Sequence, residues 1–400
     1  MATKAFDSAG VDLAVVGGGL AGGLIALAAH RAQPALSLAL IEAGPEPGGN
    51  HRWSWFEGDL GPQAAALLDE FPQTRWDGGT MVRFPGFTRR LSAGYRSLPS
   101  RDFAATLRGA LPQGAILTGR AAVALDASGV TLAGGERVAA RAVIDCRDFA
   151  SSQNLTGGWQ VFAGHHIRTR GPHDLAAPVI MDADVAQHGA YRFVYALPLA
   201  GDEVFVEDTY YADEPWLDRE TLAQRIADYA RAQGWDGERI GEEAGVLPVI
   251  TGGDGAAHRA LLAVPGVALA GARGLFVHPL TSYTLPFAAE NALAIARCLP
   301  LAGPALAELV EQRFATHWGR TSFYRQLGRM LFQAAETDRR WRVFARFYHL
   351  PEPLIERFYA GRSTPLDKLR LLTGKPPVRL GRALAALLGK GSPLVQERAE

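Results

Sequence analysis

The chain has 400 residues, of which 48% are hydrophobic; this suffices for two or three domains with buried cores and argues against disorder. Its 41 basic and 41 acidic residues balance, which excludes a uniformly basic nucleic-acid-binding protein, so no nucleic-acid partner is expected. Two cysteines, Cys146 and Cys298, cannot form a disulfide framework or a four-cysteine zinc site, and no histidines have metal-ligand spacing, so we expect no metal.

The sequence predicts a cytoplasmic protein that does not span a membrane. The apolar stretch that precedes Gly17 is too short, and it ends too early in glycines, to be the apolar region of an export signal. Among the longest apolar stretches, that from Ala288 to Leu306 is interrupted by Glu290, Arg297 and Pro300. The scarcity of cysteine fits a reducing compartment.

A strand, a glycine-rich turn and a helix open the chain. The apolar run from Asp12 to Val16 predicts the strand, and the Ala-rich stretch from Leu20 to Ala32 predicts the helix. The residues Gly17-Gly18-Gly19-Leu20-Ala21-Gly22 fit the pattern G-x-G-x-x-G at their junction. This order is typical of a Rossmann-type dinucleotide site.

Each glycine of this pattern has a physical role in such a site. Gly17 permits the tight turn, and Gly22 lets the helix pack close to the strand. Gly19 lets a pyrophosphate approach the backbone N–H groups at the helix start, where Leu20 and Ala21 follow. The alternative is a glycine-rich turn in an ordinary α/β unit.

A carboxylate follows at the position expected for ribose binding. Glu42 lies 20 residues after Gly22 and ends the second predicted strand, Leu36 to Ile41. It can accept ribose hydroxyls and repel a 2′-phosphate, so FAD or NAD fits better than NADP. The polar turn that follows, with His51 and Arg52, is of the kind that runs over a flavin, and the chain has a single G-x-G-x-x-G pattern. FAD is therefore favoured.

The middle of the chain predicts a second sheet. The segment from Val179 to Tyr211 alternates and is rich in Tyr, Phe and Val. Val267 to Gly271 predicts a strand that returns to the first domain, and Pro286 begins a helix. Other predicted elements are strands at Met81–Phe84, Phe87–Leu91, Ala115–Thr118 and Ala142–Cys146, a hairpin at Asp126–Gly129 and a capped helix from Ser100.

Two adjacent carboxylates, Glu207 and Asp208, lie within the strand-like run from Val204 to Tyr211. Strand alternation directs them to opposite faces, so one must point inward. Burial among Phe and Val side chains raises the pKa of a carboxyl group and keeps it protonated near neutral pH, which makes it a proton donor. The alternative is a solvated or ion-paired couple on an edge strand.

Aromatic side chains cluster in three segments. Singly, such residues are more often core than pocket. Arranged as a pocket, their π-faces would stabilise a cation by roughly 0.5 to 2 kcal/mol each, and their bulk would exclude water. The aromatic residues predicted to form a substrate pocket are Trp53, Trp55, Tyr191, Phe193, Tyr195 and Tyr283.

A second glycine-containing segment lies between a predicted strand and the helix begun by Pro286. It contains Gly271 and Ala272 and continues to His278 and Pro279. Its position near a helix N-terminus would let these residues face the electron-rich end of a flavin. The Asp that many flavin hydroxylases have after the first glycine is absent, which counts against that group.

Basic and aromatic residues interleave in the last hundred residues, which are mostly helical by pattern. From Arg313 to Lys390 there are 16 Lys and Arg against five Asp and Glu. Such helices can lie on anionic lipid. The alternative is a bundle whose aromatic residues form its core and whose arginines are solvated.

Linked blocks of the sequence resemble the bacterial lycopene β-cyclase family over most of the chain. The blocks are Val15–Gly23, His51–Trp55, Asp145–Arg147, Gln160–Gly164, Pro178–Asp182, Tyr191–Pro198, Val206–Tyr211 and Gly271–Pro286. The resemblance implies an α/β fold (α+β overall) similar to p-hydroxybenzoate-hydroxylase-like flavoproteins. A Rossmann-type FAD-binding domain is expected at residues 1–75, 112–150 and 262–300, a sheet-based substrate domain at 76–111 and 151–261, and a helical region at 301–400.

The same resemblance implies an enzyme that acts on lycopene or a related linear carotene, bound peripherally to the inner face of the cell membrane. Reduced FAD is required although no net electrons are transferred, and NADPH or NADH is the reductant. The acidic motif of the family falls on Val206-Glu207-Asp208-Thr209, with Glu207 as the acid that protonates C2 of a terminal isoprene unit and Asp208 as a second candidate catalytic residue. Attack of the C5=C6 bond on the C1 cation and loss of the C6 proton give a β-ring.

Two positions depart from the family pattern. Asp148 and Ser282 stand where glycine is usual. Both lie near the expected flavin, so they affect local backbone geometry rather than the reaction class.

Two other functions fit these residues. An FAD-dependent monooxygenase or reductase acting on an isoprenoid lipid would share the segment from Gly17 to Glu42 and would consume NAD(P)H stoichiometrically. A non-catalytic carotenoid-binding protein of the membrane surface would keep the aromatic residues and the basic helices but would not need Glu207.

Overall fold

The computed structural model describes residues 10–373, 380–389 and 391–395. The predicted absence of an export signal therefore falls partly outside the described residues, since it concerns residues 1–9. Parts of the predicted basic C-terminal region, residues 374–379, 390 and 396–400, also lie outside them.

The described residues form two large sheets, a small sheet and a set of helices. The strands are β1 (Val11–Val16), β2 (Leu38–Ile41), β3 (Arg52–Phe56), β4 (Thr74–Trp76), β5 (Thr80–Phe84), β6 (Phe87–Leu91), β7 (Tyr95–Pro99), β8 (Ile116–Leu117), β9 (Ala122–Asp126), β10 (Gly129–Leu132), β11 (Arg137–Asp145), β12 (Ser152–Thr169), β13 (Val179–Asp182), β14 (Tyr191–Ala200), β15 (Glu203–Ala212), β16 (Gly237–Gly253), β17 (Val267–Leu269) and β18 (Pro393–Leu394). The helices are α1 (Leu20–Ala32), α2 (Pro62–Leu68), α3 (Ser100–Ala110), α4 (Arg219–Ala232), α5 (Gly255–Leu262), α6 (Leu285–Cys298), α7 (Gly303–Arg320), α8 (Ser322–Ala334), α9 (Trp341–Phe347), α10 (Glu352–Tyr359), α11 (Pro365–Leu372) and α12 (Leu380–Leu388).

The first sheet has the order β8-β2-β1-β11-β10-β9, and β17 also pairs with β11. Its parallel part places Val15 opposite both Leu40 and Ile144. These strands consist of apolar residues because they are buried, and those of β1 and β2 share one core with α1 and α6. The carboxyl ends of β1 and β2 therefore meet beside the start of α1, where dinucleotides bind in such sheets.

The second sheet has the order β16-β12-β15-β14-β13-β5-β6, and β18 also pairs with β12. β12 is a long central strand that pairs antiparallel with β15 on one side and β16 on the other. In this register Gly164 lies opposite both Glu207 and Glu243. These three residues form one row across the sheet, so their side-chain positions point to the same face.

Three elements differ from the predicted domain boundaries. β3 pairs with β7 along its whole length, so the small sheet β3-β7-β4 crosses the boundary predicted between residues 75 and 76. α3 was expected in the substrate domain, but it packs on α1, because Phe103 and Leu107 fill the space beside Gly23. β18 adds a strand from the region expected to be helical to the second sheet.

Candidate active site

One cavity joins the start of α1 to the second sheet. Its wall contains parts of β3, the middle of β12, β15 and β16, and the segment 271–285. The residues predicted from the sequence that line it are Gly19, Leu20, Ala21, His51, Arg52, Trp53, Tyr195, Glu207, Gly271, Ala272 and Tyr283. Residues predicted for the nucleotide and for the substrate thus lie in one continuous wall.

The glycine turn has the backbone that a pyrophosphate site requires. Gly17 has a φ of 96°, and a Cβ on it would lie 2.6 Å from the carbonyl oxygen of Cys146. A Cβ on Gly22 would lie 2.0 Å from the carbonyl oxygen of Gly17, whereas a Cβ on Gly19 would meet no atom within 4 Å. Gly17 and Gly22 therefore permit the turn, and Gly19 leaves open space before the N–H groups of α1, which is where an anion binds.

Glu42 is fixed beside this turn and is half-exposed, and like Gly17 and Gly22 it lies next to the cavity rather than in its lining. The N–H of Gly18 donates to its Oε2 at 2.7 Å, and the N–H of Gly44 donates to its Oε1 at 2.6 Å. Each oxygen keeps a further acceptor site, so the carboxylate can also accept a ribose hydroxyl. The residues present at this end of the cavity fit the adenosine diphosphate part of FAD.

The segment that begins at Gly271 is held against the glycine turn. Gly271 has a φ of 62°, and a Cβ on it would lie 2.8 Å from the Cβ of Ala21. Asp145, at the end of β11, forms ion pairs with Arg147 at 2.8 Å and Arg273 at 2.7 Å. These contacts fix the part of the cavity wall that lies beside the start of α1.

His278 and Pro279 lie behind the wall, which corrects their predicted contact with a cofactor. Nδ1 of His278 accepts the N–H groups of Leu280 and Thr281, and its Nε2 donates to the carbonyl of Phe358 at 3.1 Å. Burial lowers the pKa of His278 to about 3, so its ring is neutral. Its contacts shape the turn that presents Thr281 to the cavity.

The two departures from the family pattern both line the cavity. Ser282 has a φ of 59°, in the left-handed region that favours glycine. Its hydroxyl donates to the carbonyl of Pro248 at 2.8 Å, and this hydrogen bond fixes the turn. Asp148 accepts a hydrogen bond from Arg273 through its backbone carbonyl, at 3.3 Å.

Glu207 projects from the middle of β15 into the cavity. The hydroxyl of Thr209 donates to its Oε1 at 2.7 Å. Its side chain faces the cavity while protein surrounds it, and this burial raises the pKa of Glu207 to about 7. A substantial fraction of Glu207 is therefore protonated at neutral pH, as a proton donor requires.

A second carboxyl group, Glu243 of β16, was missed by the sequence analysis. It lines the same cavity, is 7% exposed and shares a hydrogen bond with Glu207. Burial and the neighbouring Glu207 raise the pKa of Glu243 well above its usual value. The two glutamates are 36 residues apart in sequence. Only the register of β15 and β16 on β12 reveals the pair.

Asp208 faces the other side of the sheet, which corrects its prediction as a catalytic residue. It is fully buried, and Arg192 donates to both of its oxygens, with the shortest contact at 2.6 Å. Strand alternation produces this outcome, since Asp208 points toward the core under α4. Its partner is a structural arginine rather than a substrate.

Three predicted pocket residues also lie in cores rather than in the wall. Trp55 is buried in the core that contains α1 and α6. Tyr191 and Phe193 belong to the core between the second sheet and the C-terminal helices, where Tyr191 stacks on Phe344 with ring centroids 4.3 Å apart. Phe193 and Tyr191 lie two and four residues before Tyr195 and so share its face of β14, but the C-terminal helices cover that part of the strand.

Tyrosines form the wall beside Glu207. The hydroxyls of Tyr95 and Tyr283 are 3.3 Å apart, and Tyr195 lines the cavity beside them. Burial raises the pKa of all three well above 10, so they are neutral. Tyr95 was missed by the sequence analysis because it stands alone in a polar segment. The cluster offers π-faces and neutral hydroxyls next to the acid.

The described residues contain neither a metal cluster nor a membrane-spanning helix. In residues 10–373, 380–389 and 391–395, no group of three or more His, Cys, Asp or Glu side chains is placed to hold a metal ion. Within the same residues, no helix is both long and apolar enough to cross a membrane.

Solved structures with the same fold are flavin enzymes. A geranylgeranyl bacteriochlorophyll reductase-like protein from Thermoplasma acidophilum has a TM-score of 0.58 and 15% identity, covering 92% of this chain and 96% of that one. A halogenase in complex with FAD has a TM-score of 0.61 and 13% identity, covering 87% and 81%. The fold is that of FAD-dependent flavoproteins, which confirms the predicted fold class.

Sequence relatives define the family more narrowly. The family model described as lycopene cyclase protein matches residues 12–385. The lycopene beta-cyclase of Pseudescherichia vulneris is 47% identical over 379 residues, which cover 94% of this chain and 97% of that protein. That of Pantoea ananas is 41% identical, covering 94% and 98%. The chain belongs to the lycopene cyclase family, and the predicted resemblance is confirmed.

Proposed function

We propose that this protein is a lycopene β-cyclase, which converts linear ends of lycopene into β-rings without net electron transfer. The bacterial relatives named above are lycopene beta-cyclases, which supports the substrate class. One observation carries the proposal: a buried carboxyl pair, Glu207 and Glu243, lines the same cavity as the glycine turn before α1. An acid-initiated cyclisation needs a protonated group in a dry pocket next to the cofactor site.

FAD is the proposed cofactor. Gly19 and the N–H groups of α1 would hold its pyrophosphate, and Glu42 would accept its ribose hydroxyls. Gly271 and Ala272, which line the same cavity, are further candidates for contact. When bound in reduced form, FAD supplies an electron-rich ring beside the pocket, and NADPH or NADH is the proposed source of its electrons.

Glu207 is the proposed acid. Its carboxyl group gives a proton to C2 of a terminal isoprene unit, which creates a tertiary cation at C1. The C5=C6 bond attacks C1, and loss of the C6 proton leaves the β-ring. One proton enters and one leaves, so substrate and product are isomers of equal mass.

The aromatic wall protects the cation. Tyr95, Tyr195 and Tyr283 are neutral because desolvation raises the pKa of each, so none of them is an anion that could trap it. Their π-faces stabilise positive charge by roughly 0.5 to 2 kcal/mol each. Phe162 and Phe205 extend the apolar part of the wall.

A bilayer surface is the proposed partner, because a C40 hydrocarbon dissolves in lipid rather than in water. Leu366, Leu369 and Leu372 are 78%, 60% and 57% exposed on one side of α11. The same helix carries Lys368 and Arg370, so an apolar face is bordered by positive charge. This combination is typical of a helix that lies in an anionic lipid surface.

The test of function is expression in bacteria that accumulate lycopene, followed by chromatography and mass spectrometry of the pigments. We expect a product of unchanged mass with β-ring absorption. A product that has gained oxygen or hydrogen, with stoichiometric NAD(P)H consumption, would identify the monooxygenase or reductase instead. Unchanged lycopene bound to the purified protein would identify the non-catalytic carotenoid-binding protein.

The membrane proposal has its own test. Binding to vesicles that contain anionic lipid should fall with added salt, and the variant L366E/L369E should bind at least 10-fold less. Leu261 is also exposed, at 70%, but lies on α5, so L261E is the matched control and should bind like the wild type. Equal losses in both variants, or binding unaffected by either, would refute α11 as the contact.

A further inference from the structure

Gly164 separates two carboxyl groups on one face of the second sheet. Glu207 and Glu243 are its neighbours on the two adjacent strands, β15 and β16. Strands next but one are about 9.6 Å apart, a distance that two glutamate side chains can span over a residue without a side chain. Gly164 is such a residue, and the ring of Phe205 packs directly over it, 2.3 Å from where a Cβ would lie.

The hydrogen bonds of the pair require a proton between the two carboxyl groups. Glu207 accepts from the hydroxyl of Thr209 on one side, and the backbone of Arg52 lies beside Glu243 on the other. The remaining bond joins Glu207 to Glu243. Two carboxylates cannot form it, because an ionised carboxylate only accepts. At least one of the two groups is therefore protonated.

We propose that Glu243 is a positioning residue that stays protonated and donates its hydrogen bond to the Glu207 carboxylate after Glu207 has protonated the substrate. The inference rests on the proposed function and assigns Glu243 a part in it. In the forward step the O–H bond of Glu207 breaks and the C2–H bond of the carotene forms. The proton released from C6 returns to Glu207, so the pair ends each turnover with the two protons with which it began.

The hydrogen bond from Glu243 matters because a carboxylate is hard to form in an apolar cavity. A donor aimed at the charged form of an acid lowers its pKa and makes it a stronger acid, which offsets part of the effect of burial. Without that donor, Glu207 would hold its proton more tightly and protonate a C=C bond more slowly. With it, the carboxylate stays in place until the C6 proton returns.

One cation and two neutral tyrosines face the pair on the cavity side. The titratable and charged groups that face it are Arg52 from β3, Tyr95 from β7 and Tyr195 from β14, and Asp208 acts on Glu207 from the opposite face of β15. Arg52 lowers the pKa of Glu243, but burial and Glu207 outweigh it. The tyrosines are uncharged, so Arg52 is the cation nearest the pair among these groups.

Infrared spectroscopy of the purified holoprotein, titrated with pH in the absence of carotene, tests the inference directly. In the wild type we expect one protonated carboxyl band that E207Q removes and that is lost near pH 7, and one that E243Q removes and that persists above pH 8. Asp59, whose pKa burial also raises to about 7, gives a further band that neither substitution removes. E243Q should remove the persistent band and leave the other midpoint within about half a unit, because an amide N–H still donates to Glu207. E243L should raise that midpoint by about one unit or more, because the donor is lost.

Cyclisation rates provide the second measurement. E243Q should retain most of the wild-type kcat, and E243L should lose about 10- to 100-fold, as expected for a lost hydrogen bond to a charged group. A side chain that merely filled space would give equal Glu207 midpoints in E243Q and E243L. That result would overturn the inference, as would loss of the band near pH 7 in E243Q.

The two proposals fail in distinguishable ways. If the wild type forms no ring but the infrared bands behave as expected, the proposed function is refuted, while the hydrogen bond between Glu207 and Glu243 is still supported. If ring formation proceeds but the bands do not shift, the role of Glu243 falls alone.

Discussion

The two faces of β15 bury neighbouring carboxyl groups in two different ways. Glu207 faces a cavity and shares a hydrogen bond with another acid, whereas Asp208 faces a core and is clamped by Arg192. Burial raises the pKa of both groups. The arginine opposes that effect for Asp208, and in the part of the chain that the structure describes no cation has the same contact with Glu207. The side chain that each carboxyl group contacts thus determines whether that group is available as an acid or held in an ion pair.

The largest expected effect comes from replacing the acid on the cavity face of β15 while the ion pair on the other face stays intact. E207Q should reduce β-ring formation about 10²- to 10⁴-fold, the size of a lost general acid, while FAD remains bound. The matched control replaces the ion pair on the other face, in the double variant R192M/D208L. It should retain ring formation per folded molecule. Pigment analysis, normalised to bound flavin, measures ring formation in both variants. Near-wild-type activity of E207Q would show that Glu207 is not the acid.

Loss of the Arg192–Asp208 ion pair should lower the stability of the protein rather than its activity. R192M leaves the carboxyl of Asp208 buried without its partner, and we expect the free energy of unfolding to fall by about 3 to 5 kcal/mol. Adding D208L should recover most of that loss, because an apolar pair of similar volume replaces both charges. Urea unfolding monitored by fluorescence measures both variants. A loss below about 1 kcal/mol in R192M would show that water reaches Asp208.

The pH dependence of stability should come from the Glu207 face. The pKa of Glu207 is raised from 4.5 to about 7 in the folded protein, so the native state binds the extra proton. The stability that this contributes is present below pH 4.5 and is lost as the pH rises through 7, about 3 kcal/mol in all. Unfolding free energies measured from pH 4 to pH 8 should therefore fall more in the wild type than in E207Q. Parallel curves would contradict the raised pKa.

The smallest expected effect concerns the gap between the two carboxyl groups. G164A should lower the free energy of unfolding by about 1 to 3 kcal/mol, because its Cβ would lie 2.3 Å from the ring of Phe205. It should also slow ring formation by displacing the Glu207–Glu243 contact. G201A is the matched control, since a Cβ on Gly201 meets no atom within 4 Å. Equal stability of the two variants would show that Phe205 moves aside freely.

Local patterns in the sequence predicted the nucleotide end of the molecule well. Gly17, Gly19 and Gly22 act through the backbone of a single turn, and Glu42 lies one strand further along. Each of these contacts joins residues that a short strand-helix-strand unit brings together. A motif of fixed spacing therefore carried most of the information about that site.

The acid end depended on contacts between distant strands. Alternation showed that Glu207 and Asp208 face opposite ways, but it did not show which of them meets the cavity. Trp55 and Tyr191 share their strand faces with the cavity residues Trp53 and Tyr195, and both are core because other elements cover those parts of the strands. Side chains on one strand could be sorted into two faces, but the identity of each face depends on what packs against it.

By itself, the sequence determined the flavoprotein fold class, the glycine turn and a carboxyl motif in the second sheet, because periodicity and short motifs reflect local backbone geometry. Only the tertiary structure decided that Glu243 joins Glu207, that Arg192 neutralises Asp208 and that Tyr95 completes the aromatic wall. These contacts follow from strand register, in which a shift of one residue would exchange the two faces of β15. Register is set by the packing of the whole sheet and cannot be read from any one segment.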